Sequence, residues 1–168
     1  MAGSLNSVAP VSFESVSNVT LTPSVQLGTV RNDSGVNYVY VYNDGNSQIS
    51  QGLMGFLAGT SSLSSGYSVT VTNAASQSGG IKAVGVAHNA TLTTGSYGWL
   101  ATKGLVLAGL DASAVSMNAG DIVVPGVDGG FVVYAGTSAT GIQLGVAINS
   151  IVTTVGTGKI YFRSPVFG

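Results

Sequence analysis

The chain contains no cysteine, which excludes disulfide staples and thiolate metal centres and leaves the redox compartment unread. Charge is scarce as well. Five Lys or Arg and six Asp or Glu are spread over 168 residues, where an average domain with ~25% charged residues would carry about 42. The basic residues, Arg31, Lys82, Lys103, Lys159 and Arg163, are scattered. Without a basic stripe to neutralise phosphates, direct nucleic-acid binding is not expected. No apolar run reaches the ~18 residues of a membrane helix. The most hydrophobic stretch, YGWLATKGLVLAGL, is cut by Lys103 and by glycines, so a membrane partner is not expected. A membrane β-barrel stays open as an alternative, because its alternating strands leave a weak trace. The first 19 residues lack the positive start and continuous apolar core of a secretory signal.

Catalytic machinery is equally hard to find. The one histidine, His88, follows a Gly-Val-Ala run in a strand-to-turn position, and a general base needs an orienting partner and a nucleophile beside it. No Gly-x-Ser-x-Gly elbow occurs. The carboxylates Glu14, Asp33, Asp44, Asp111, Asp121 and Asp128 are dispersed, and no calcium-loop spacing links them. Asp44 and Asp128 precede glycine and read as turn formers. VGTGKIY (155–161) has no hydroxyl residue after its lysine and fails as a phosphate loop. The expectation is a protein with no catalytic, cofactor or metal site.

What the chain does contain is short, β-prone runs. YVYVY, YSVTVT, IKAVGVA, YGWLAT, GLVLAG, DIVVPG, FVVYAG, IQLGVAI, SIVTT and KIYFRS recur between Gly- and Asp-rich breaks. This pattern predicts an all-β fold, a compact antiparallel β-sandwich or barrel. Helical turns around SQGLMGFLAG or LDASAVSM are weaker readings. Residues 1–36 carry no sustained core pattern and are broken by Pro10 and Pro23, so they read as an extended N-terminal arm. The β domain is expected over 37–168. Within it, 85–106 echoes 145–166 at a shift of 60: Gly85, Val86, Ala87, Asn89, Thr93, Thr94, Gly98 and Val106 return at 145, 146, 147, 149, 153, 154, 158 and 166.

YVYVYNDG, residues 38–45, alternates with period two. Val39 and Val41 form the natural core face, leaving Tyr38, Tyr40 and Tyr42 on the other, where charge is the norm. Near-neutral net charge favours association, and amphipathic rings supply interface area at low entropic cost. The tyrosine face is therefore expected to be intermolecular, with Trp99, Phe13 and Arg31 as further interface candidates. On that reading, a charged substitution such as Tyr40→Lys separates subunits without unfolding them.

Three stretches, GVAHNATLTTGSYGWLATKGLV (85–106), NAGDIVVPGVDGGFV (118–132) and LGVAINSIVTTVGTGKIYF (144–162), resemble, in this order, the small cement or decoration proteins of tailed-phage capsids. The NYVYVYNDG segment is similar to proteins encoded near phage major capsid genes, and the resemblance covers roughly residues 37–164. It implies a non-enzymatic virion protein on the outer surface of the capsid, whose partners are the phage major capsid protein and sister copies in a homotrimer. The other readings are a head-fibre or tail component and a glycan-binding β-sandwich module.

Overall fold

A computed structural model describes residues 14–57, 68–70, 83–111, 116–126, 129–133, 143–151 and 156–165. Among them ten strands form one all-β sheet and there is no helix. The strands are β1 (Val30–Asp33), β2 (Val36–Asn43), β3 (Met54–Leu57), β4 (Ser68–Thr70), β5 (Ala83–Val86), β6 (Tyr97–Gly109), β7 (Ile122–Pro125), β8 (Phe131–Val133), β9 (Gly145–Ala147) and β10 (Thr157–Arg163). The weak helical reading around Met54 gives way to β3. All pairs of named strands are antiparallel except β2–β4. β1 and β2 form a hairpin through Ser34 and Gly35, both at positive φ (53° and 83°), as a turn matched to strand twist requires.

The sheet as a whole is open, ending at β1 and β8. Within it, however, the pairings run in rings. β2 pairs β6, β6 pairs β5, β5 pairs β3, β3 pairs β4, and β4 returns to β2. A second circuit runs from β6 through β10, β9 and β7 to β8, which returns to the end of β6 by a parallel bridge, Leu110 to Phe131. The 13-residue β6 serves both, its first half facing β2 and its second half β10.

The two rings share their registers. Val86 opposite Ala101 in the first becomes Val146 opposite Tyr161 in the second, the same shift of 60. Met54–Val86 and Gly55–Gly85 become Ile122–Val146 and Val123–Gly145. Even the parallel pairing of Asn43 with Val69 has its counterpart in Leu110 with Phe131. The connecting turns agree too. Gly52 and Gly120, at φ 87° and 92°, donate to the carbonyls of Ala87 and Ala147 at 2.9 and 2.8 Å. On this mapping the second half of β6 stands where β2 stands in the first ring, so Tyr38 and Tyr40 correspond to Leu105 and Leu107.

The cores follow from this. Val39, Val41, Ile49, Val84, Ala87, Leu92 and Leu100 pack as one cluster. Their counterparts Val106, Ala108, Met117, Leu144, Ala147, Ile151 and Ile160 are also buried, in a larger cluster that takes in Tyr38, Tyr40, Met54, Phe56 and Trp99. At roughly 1.5–3 kcal/mol for each fully buried large aliphatic side chain, these two clusters dominate the favourable side of folding.

Candidate interaction surface

Three of the residues expected at an interface, Tyr38, Tyr40 and Trp99, are found in the core. Tyr40 is fully buried, and Tyr38 and Trp99 nearly so, in the chain's own core. This corrects the expectation of an intermolecular tyrosine face. The cover is supplied in cis by residues 14–29. Thr20 pairs through its backbone with Tyr97, and Gly28 and Thr29 with Tyr40. The hydroxyl of Tyr40 lies 3.2 Å from the Ser24 N–H and 3.0 Å from the Ser24 hydroxyl. Tyr42 is half-buried, its ring centroid 4.8 Å from that of Tyr97. Arg31 is bound to Asp33 at 3.0 Å, donates to the carbonyl of Glu14 and lies 5.9 Å from the Trp99 ring centre. It thus clamps the arm segment onto the sheet. Phe13 lies outside the described residues. The part of the arm from residue 14 onward, together with β1, is joined to the same sheet as the β domain.

Among the described residues, Leu21 and Val30 are exposed large apolar side chains on the arm and β1, and the other five lie on the second ring. Leu105, Tyr161, Val146 and Ile122 keep 42, 50, 41 and 36% of their surface accessible. They are direct cross-strand partners on four successive strands, β6, β10, β9 and β7. At about 4.8 Å per strand the row is roughly 14 Å long. Scattered exposed apolar residues are ordinary, whereas an unbroken row across four strands is a surface feature. In the first ring the corresponding residues, Tyr38, Ala101, Val86 and Met54, are all buried.

Cations flank the row on both sides. Lys103 and Arg163 sit opposite each other, and Lys159 sits opposite Leu107. All three are exposed, so three of the chain's five basic residues share this face. Among the described residues of β6, β7, β9 and β10, no carboxylate occupies it. Like charges placed opposite each other on a sheet repel, and a partner carrying carboxylates relieves that repulsion.

The row adjoins a cavity of about 360 Å³ lined by Val16, Asp33, Ser34, Gly35, Val36, Tyr38, His88, Asn89 and Leu105. Asn89 donates to the Tyr38 hydroxyl at 3.0 Å. His88 accepts the Leu107 N–H on Nδ1 at 2.8 Å, which places the proton of the neutral ring on Nε2. It thereby caps a strand-edge donor. Burial first, then the Lys159 ammonium, holds its pKa below the usual 6.5. The fold prefers the neutral imidazole, so this contribution to stability is complete above about pH 6.5. It is lost as the pH falls through the lower folded value. In urea unfolding at about pH 7 and pH 5, the wild type should lose more stability on acidification than His88→Gln. Equal losses would remove this role.

The row was missed in sequence because its members lie on strands that become neighbours only through the order β6-β10-β9-β7. One signal was present. TGKIYFR alternates buried Gly158, Ile160 and Phe162 with exposed Thr157, Lys159, Tyr161 and Arg163, and the shift of 60 already set Lys103 against Arg163.

No protein-family model matches the chain, and no curated protein sequence matches it. Among solved structures it is similar to the head fiber gp8.5 N base of bacteriophage phi29. Sequence identity is 12% and the TM-score 0.49, with 74% of this chain and 93% of that chain covered. A likeness of that degree assigns this chain no function.

Proposed function

We propose that this chain is a structural component of a tailed-phage head, a cement protein attached to the outside of the shell through the Leu105–Tyr161–Val146–Ile122 face. The observation that carries the reading is that apolar row with its cationic flanks, on a chain poor in charge. The resemblance of residues 37–164 to tailed-phage cement proteins suggests the partner, the major capsid protein. Tyr38 and Tyr40, buried in cis, are not available to this contact.

Magnitudes limit what the row does alone. Each of the four side chains is about half exposed, so covering it gains roughly 1 kcal/mol, about half the value for full burial. The sum, about 4 kcal/mol, corresponds to a millimolar dissociation constant before association costs. Firm attachment therefore needs the flanking charges and the repetition of a shell, where multiple contacts act together.

The test is a pair of variants, Tyr161→Asp and Ile122→Asp, added to heads of the phage that encodes the chain and stripped of it. Surface positions should leave stability within about 0.5 kcal/mol of wild type, while occupancy should fall at least about tenfold. Undiminished occupancy by both folded variants would end this reading. Occupancy that leaves the shell's melting temperature unchanged would replace cementing with simple attachment, as of a fibre.

A further inference from the structure

In the first ring the outer edge of β2 is filled. β1 pairs with it, Arg31 opposite Tyr38, and the Tyr40 N–H donates to the Thr29 carbonyl at 2.9 Å. In the second ring the equivalent edge belongs to β6. Its Leu107 N–H, the counterpart of the Tyr40 N–H, goes to the His88 side chain. Residues two apart on a strand turn their backbone groups to the same side. Leu105 therefore directs its N–H and C=O away from β10, as Leu107 does, and Leu105 lines the cavity beside His88 and the Ser34–Gly35 turn. The second ring thus keeps one position of a β1 with no strand among the described residues paired into it, at Leu105, between Lys103, which pairs with Asn37 of β2, and Leu107, which His88 caps.

We propose that this place receives a short extended segment of an acidic partner protein, which pairs with the β6 edge at Leu105 as Arg31 of β1 pairs with Tyr38 of β2. Strand addition of this kind draws its affinity from the backbone and its selectivity from side-chain surroundings. Here those surroundings select charge: Lys103, Lys159 and Arg163 stand on the adjoining face, and the one acid lining the cavity, Asp33, is paired with Arg31. A second copy of this chain fits poorly, because it brings the same cations and few free acids. Its Glu14 is bonded to Ser24, Asp33 to Arg31 and Asp121 to the Asn118 N–H, Asp111 is buried, and Asp44, just after β2, is the exposed acid among the described residues that remains. The inference rests on the head-attachment reading for the identity of the surface and adds the form of the partner.

The experiment uses the full chain and a capped hexapeptide alternating aspartate and valine, with its lysine–valine analogue as control. NMR-detected amide exchange should show Leu105 slowed about tenfold or more at saturating acidic peptide. Val106, whose N–H already faces β10, should be unchanged. Lys103→Glu combined with Arg163→Glu should weaken the peptide about tenfold or more. Binding without protection of Leu105, equal binding of the lysine peptide, or no binding at millimolar peptide would each overturn the proposal. Those failures are separable from failure of the attachment reading, which shows itself as undiminished head occupancy by Tyr161→Asp and Ile122→Asp.

Discussion

Replacing Tyr40 by aspartate should abolish cooperative folding. Tyr40 has no accessible surface, its ring lies 5.0 Å from Trp99 and 6.2 Å from Tyr97, and its hydroxyl meets the Ser24 N–H. Removing a buried aromatic costs about 3–5 kcal/mol. An unpaired carboxylate in the same space adds several more, and Glu14, bonded to the neighbouring Ser24, supplies further repulsion. Against a total stability of about 5–15 kcal/mol for a domain, that loss is decisive. Aspartate is a sharper probe than lysine, whose ammonium has an acid, Glu14, within the local network. Tyr40→Phe keeps the ring and removes the bonds to Ser24, an exposed residue whose N–H can turn to water, so it should remain folded at a cost of about 0.5–1.5 kcal/mol. Far-UV circular dichroism with urea titration checks both. A folded, monodisperse Tyr40→Asp protein would return the tyrosines to an intermolecular role.

The alternation of YVYVYNDG was legible down to which residues share a face, because period two is local: Val39 and Val41 fall in one cluster, Tyr38 and Tyr40 in the other. What covers the tyrosines was not legible. The answer depends on residues 14–29 folding back through single contacts, Thr20 to Tyr97 and Ser24 to Tyr40, which leave no periodic trace. Scarce charge on that strand face signalled burial correctly, but burial by the chain's own arm and burial by a neighbour have the same composition. The duplication was half legible. The echo between 85–106 and 145–166 is a matter of sequence, whereas the equivalence of β2 with the second half of β6 rests on strand pairing alone. Leu105 and Tyr161 became a site only when β6 and β10 became neighbours.

Gly145→Ala should lower stability by about 3 kcal/mol, and Gly85→Ala by a comparable amount. A Cβ on Gly85 would meet the Ala101 carbonyl oxygen at 2.6 Å and the Leu100 Cβ at 3.0 Å. On Gly145 it would come closer still to the carbonyl oxygen of Tyr161, the residue equivalent to Ala101, with the Phe162 Cα at 3.2 Å. The obstructing atoms are the backbones of β6 and β10. Tyr161 is paired with Leu105 and Val146, and Ala101 with Tyr38 and Val86, so neither carbonyl can step aside without breaking a ladder. Overpacking costs typically 1–3 kcal/mol, and backbone obstruction puts these sites at the upper end. For a chain of this length that is a fall in Tm of roughly 6–12 °C, readable by calorimetry. Gly95→Ala is the control, with open space around its Cβ and a φ of 72°. It incurs only the left-handed backbone cost of roughly 1–2 kcal/mol. A Gly145→Ala protein melting within about 2 °C of wild type would show that β9 and β10 can separate freely. A large loss at one glycine with none at the other would mean that the two rings, despite their common registers, are not held together by the same contact.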